Sequence, residues 1–74
     1  MKTLKDLICM HHVTVPGYKG HGVNSIIVLF DPNSQKSYIW ITANSNTAVR
    51  FTEGHTYTIK AHVENNRLKY VDIL

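Results

Sequence analysis

Residues Thr56–Val63, TYTIKAHV, alternate without a break. Tyr57, Ile59, Ala61 and Val63 fall on one side, and Thr56, Thr58, Lys60 and His62 on the other. Period two marks a strand with one buried face, whereas a helix spaces its apolar residues three and four apart. One apolar strand face needs a sheet or a closed barrel to cover it. With 74 residues there is room for a single core, so residues 1–74 read as one domain, burying about 60–65% of its unfolded surface.

The rest of the chain reads the same way. Residues 8–14 carry the β-branched "HVTV" and suit a strand, although Leu4, Leu7, Ile8 and His11 also fit a helical stripe. As a strand, this stretch groups Leu7, Cys9, His11 and Val13 on one side. "PGYKGHG", residues 16–22, is a loop. A second strand, 23–31, meets a third, 37–42, across the turn signal Asp31-Pro32-Asn33-Ser34. Asn44, Ser45 and Asn46 are good helix N-caps, and Thr47–Phe51 makes little more than one helical turn, with Val49 or Phe51 plugging the core. Strands 55–63 and 67–73 form a second hairpin round Glu64-Asn65-Asn66. The expectation is all-β: a five-stranded OB-fold barrel with a short helical turn between strands three and four. An SH3-like barrel is the rival; the break after strand three favours OB. Closure also removes exposed sheet edges.

Composition narrows the partners. A net charge of +3 permits a polyanion without requiring one. The single cysteine, Cys9, forms no internal disulfide and fits a reducing compartment. No apolar run approaches the roughly 20 residues of a membrane span, and Lys2, Lys5 and Asp6 interrupt any signal-peptide block. A cytoplasmic protein with no membrane partner is expected.

Residues 31–74, "DPNSQKSYIWITANSNTAVRFTEGHTYTIKAHVENNRLKYVDIL", combine a turn, the aromatic strand "YIWIT", a hydrophilic connection and the piece "F-x-E-G-x-x-Y-x-I-x-A-x-V". This resembles the C-terminal part of small single-strand-binding OB-fold proteins, including those of phages and mobile elements. The N-terminal third does not share the pattern. The resemblance implies a single-stranded DNA-binding accessory of replication or recombination, with a replication protein as a further partner; RNA is a lesser option.

The site follows from strand register. With Ile39 and Ile41 inside, Tyr38 and Trp40 stand on the outer sheet face, where bases stack on rings at about 1–3 kcal/mol each. Lys36 lies beside them, and Lys19, Lys60, Arg67 and Lys69 are candidate phosphate contacts. Tyr18, in the glycine loop, is a second stacking candidate. Tyr70 reads as core filling, and strand two is apolar on both faces. The alternative is a protein-interaction adaptor or a self-associating barrel using the same aromatic face, because exposed Tyr and Trp are enriched at interfaces; Lys36, Lys19 and Arg67 around the rings favour nucleic acid.

Other chemistry finds no pattern. Five histidines and Cys9 lack the paired ligand spacing of a zinc site. There is no nucleophile elbow, phosphate loop or paired-carboxylate motif, and Cys9 beside a histidine lacks a catalytic context. No enzyme, metal or cofactor is expected.

Overall fold

The computed structural model of the chain describes residues 1–43 and 45–74, apart from the side chains of Tyr18 and Ser45. Among the described residues, five strands close into a barrel: β1 (Lys2–Pro16), β2 (Val23–Asp31), β3 (Lys36–Thr42), β4 (Thr56–Glu64) and β5 (Arg67–Ile73). A 3₁₀ turn at Tyr18–Gly20 follows β1, and one helical turn, α1 (Ser45–Ala48), follows β3. The order round the barrel is β1-β2-β3-β5-β4, and β4 pairs back onto β1. This is the expected OB-type layout, with its helical turn between the third and fourth strands.

β1 is longer than residues 8–14 because its halves serve two partners. Its first half pairs with β4, from Lys2↔Ala61 to Ile8↔Thr56. Its second half pairs with β2, from Ile8↔Phe30 to Pro16↔Val23. Two bulges let one strand do both. The register slips between Leu4 and Leu7, where Asp6 takes a φ of 56°, and again between Cys9 and His11. The second slip corrects the simple alternation. Leu7 and Cys9 are buried, but beyond Met10 it is His12 that faces Ile27 inside, while His11 and Val13 turn outward beside Val28 and Ile26.

The hairpins follow their turn chemistry. Asn65 and Asn66 both take positive φ, 50° and 63°, as a two-residue turn between Glu64 and Arg67 requires. Asp31 closes the β2–β3 turn: its carboxylate accepts from the Asn33 amide at 2.9 Å, and its carbonyl accepts from the Gln35 amide at 2.7 Å. Ala48, the last residue of α1, and Phe51 just beyond it plug the barrel, while Val49 is exposed. The expected Asn44 cap lies outside the described residues.

The register of β3 is the inverse of the one expected. Trp40 pairs with Ile27, Tyr38 with Leu29, and Thr42 with Ser25, all facing in. Tyr38 and Trp40 are 7% and 4% exposed, whereas Ile39 and Ile41 are 38% and 44% exposed. Ring volume explains the choice. A barrel this small has few inward positions, and an aromatic ring buries about 150–250 Å². Trp40 meets Phe51 edge-on, with centroids 5.8 Å apart, and Phe51 packs on Tyr57 at 4.7 Å. Ile59 and Ala61 are buried as expected, and Tyr57 and Val63 pack against that core from its ends.

With the rings inside, the outer face across β1, β2 and β3 is aliphatic. Val13, Ile26 and Ile41 form one cross-strand row, and His11, Val28 and Ile39 the next. Val13 and Met10 are exposed, like Ile39 and Ile41.

Candidate nucleic-acid interface

β3 meets β5 through one parallel pair, Ile39 with Arg67, reinforced by the Ile39 amide donating to the Asn66 carbonyl at 2.9 Å. The seam between these strands is otherwise open, and two grooves lie along it. One, of about 340 Å³, is lined by Ile41, Glu64, Asn65, Arg67, Leu68 and Lys69. The other, of about 440 Å³, is lined by Trp40, Thr42, Thr47, Tyr70, Val71 and Asp72. Their linings are neighbours in sequence on both strands, Ile41 with Thr42 and Lys69 with Tyr70.

This geometry sorts the residues singled out in the sequence. Arg67 and Lys69 come together in the first groove, beside the aliphatic edge of β3. Lys36 is exposed at the β2–β3 hairpin, with Asp31 as its register partner. Lys19 is exposed in the turn after β1, at a φ of 53°. Lys60 is exposed on β4, opposite Asp72. Tyr38 and Trp40 are buried in the core, and Trp40 borders the second groove from within. The Tyr18 side chain lies outside the described residues.

The charges in the groove are not all positive. Lys69 Nζ lies 3.6 Å from Glu64 Oε2, and His62 Nε2 lies 3.7 Å from the same oxygen. All three side chains are at least half exposed, so each pair is worth well under about 1 kcal/mol and a polyanion competes with it readily.

Sequence reasoning missed Tyr70. The register of β5 against β4 slips opposite Ala61, since Lys60 pairs with Asp72 but His62 with Lys69. Tyr70 sits at that bulge with a φ of 56° and is 76% exposed, not core filling. A signal was present in "LKYVDI". Strict alternation from Leu68 would put Tyr70 and Asp72 inside, and only an extra residue lets Leu68 and Val71 both be buried.

The histidines and Cys9 are dispersed. Cys9 is fully buried, and burial, with a smaller contribution from the Glu53 carboxylate, raises its thiol pKa. Its backbone binds the β3–β4 connection, donating to the His55 carbonyl at 2.9 Å and accepting from the Gly54 amide at 2.8 Å. His12 does the same: its amide donates to Glu53 Oε2 at 2.9 Å, and its Nδ1 donates to the Phe51 carbonyl at 2.7 Å. Among the described residues, no three of His, Cys, Asp or Glu converge as metal ligands. No helix among them is long and apolar enough to cross a membrane.

Comparison with known protein families, characterised proteins and solved structures gives no match to this chain.

Proposed function

We propose that the chain is a single-stranded nucleic-acid-binding module. The observation that carries this is the groove at the β4–β5 hairpin, where Arg67 and Lys69 flank the aliphatic edge of β3. In OB barrels the β2–β3 face and the loops after β1 and between β4 and β5 hold oligonucleotides. The cations contact phosphates, and the apolar floor of Ile39 and Ile41 takes the flat faces of bases or sugars. Lys36 stands at the β2–β3 hairpin and Lys19 in the turn after β1. An accessory role in DNA replication or recombination, as the resemblance implies, would rest on this binding.

The test is anisotropy of a labelled oligo-dT at two salt concentrations. Binding should weaken with salt, and Arg67→Ala with Lys69→Ala should reduce the log–log slope by about 1.4, two phosphate contacts at about 0.7 each. Absence of binding at low salt, or binding indifferent to salt, would overturn the reading.

A second reading is favoured by the aliphatic rows Val13–Ile26–Ile41 and Val28–Ile39. An exposed apolar sheet face of this kind is also what a protein partner or a second copy covers. Sedimentation equilibrium separates the two: self-association that Val13→Lys abolishes, with no oligonucleotide binding, would support the second reading.

A further inference from the structure

We propose that Tyr70 is the base-stacking residue of the interface, turned outward for that purpose by the β5 bulge; this rests on the nucleic-acid reading above. The fold needs the bulge but not the ring. Without an extra residue in β5, Leu68 and Val71 would face opposite sides, and both are buried. The bulge residue takes a φ of 56°, where glycine or asparagine sits at little cost and a bulky side chain is an outlier. The other non-glycine residues with positive φ among those described are Asp6, Lys19, Gln35, Asn65 and Asn66, all polar. Tyr70 alone is aromatic, and at 76% exposure its ring contributes little to the core. A strained conformation retained around an exposed ring points to a role outside the fold.

Its surroundings suit a nucleotide. Lys69, which precedes it, and Arg67 are exposed as it is and line the first groove, while the ring borders the second beside Thr42 and Thr47. A strand lying along the seam would place phosphates near Arg67 and Lys69 and a base on Tyr70. Of the acids lining the seam, Glu64 lies against Lys69 and Asp72 faces Lys60 across the sheet.

The test compares wild type, Tyr70→Phe and Tyr70→Asn against a labelled oligo-dT and an abasic oligonucleotide of equal length. Asparagine tolerates the positive φ, so Tyr70→Asn should melt no lower than wild type. It should bind oligo-dT about 5- to 150-fold more weakly, with an unchanged salt slope and unchanged affinity for the abasic strand. Tyr70→Phe should match wild type. If wild type binds oligo-dT and Tyr70→Asn binds it equally, the inference fails and the nucleic-acid reading stands. If wild type binds neither strand, both fail. A lower melting temperature for Tyr70→Asn would show that the ring serves the fold, and would also overturn the inference.

Discussion

Trp40→Ala and Ile39→Thr, made side by side, test the register of β3, on which every statement about the outer face depends. Trp40 is 4% exposed and packs edge-on against Phe51. Removing a buried Trp side chain costs about 3–5 kcal/mol in lost transfer energy and cavity, and the ring–ring contact accounts for about 0.5–1.5 kcal/mol of stability in its own right. At roughly 0.05–0.15 kcal/mol per residue, the whole domain is held by about 4–11 kcal/mol. Trp40→Ala should therefore remove between a third and all of the stability. Ile39 is 38% exposed on a solvent face, and threonine keeps its β-branched fit to the strand, so Ile39→Thr should cost under about 1 kcal/mol. Urea unfolding followed by far-UV circular dichroism measures both. A near-native midpoint for Trp40→Ala with an unfolded Ile39→Thr would refute the reasoning and restore the outward-facing rings.

Three further outcomes follow from particular contacts. Below pH 9.0, the ordinary value of a Cys thiol, the contribution of Cys9 to stability is complete; because its native pKa lies higher, the unfolded chain loses its proton first and stability falls as the pH rises past that point. That part of the fall should vanish in Cys9→Ala, and a thiol reagent should label native Cys9 only as fast as the domain opens. A Cβ on Gly17 would stand 2.0 Å from the His21 carbonyl oxygen, so Gly17→Ala should lower stability by about 1–3 kcal/mol, read by thermal melting; an unchanged melt would show that the loop re-forms freely. Glu64→Gln frees Lys69 from its acidic neighbour and should tighten oligo-dT binding about two- to fivefold in the anisotropy assay.

Turns and strand positions were legible because they depend on local chemistry. The Asp31-Pro32 turn, the Asn65-Asn66 hairpin and the alternation of β4 each carry their own signal within a few residues. The register of β3 does not. Tyr38 and Trp40 on one side and Ile39 and Ile41 on the other are both apolar enough to be core, and only the competition for a few inward positions decides between them. Bulges were the second obstacle. Met10 and Tyr70 each shift the parity of a strand, and a reading at strict period two carries the error to every later residue. Arg67 and Lys69 could be placed because the hairpin fixes them close to its turn. Where Lys60 stands relative to β2 and β3 is a property of barrel closure, which no local signal carries.

The divided pairing of β1 has a consequence for how the chain acquires its shape. β1, β2 and β3 are consecutive, and their pairing is complete within the first 42 residues. The opening half of β1 has to wait for β4, since Lys2 finds its partner 59 positions later at Ala61. Contacts this distant in sequence slow folding, because the loop entropy is lost before the contact forms. During synthesis the opening half of β1 therefore emerges as an uncovered strand edge carrying Leu4 and Leu7, open to wrong pairing until β4 is made. The polar interruptions at Lys2, Lys5 and Asp6 fall within that waiting segment, and charged residues on an edge oppose such pairing.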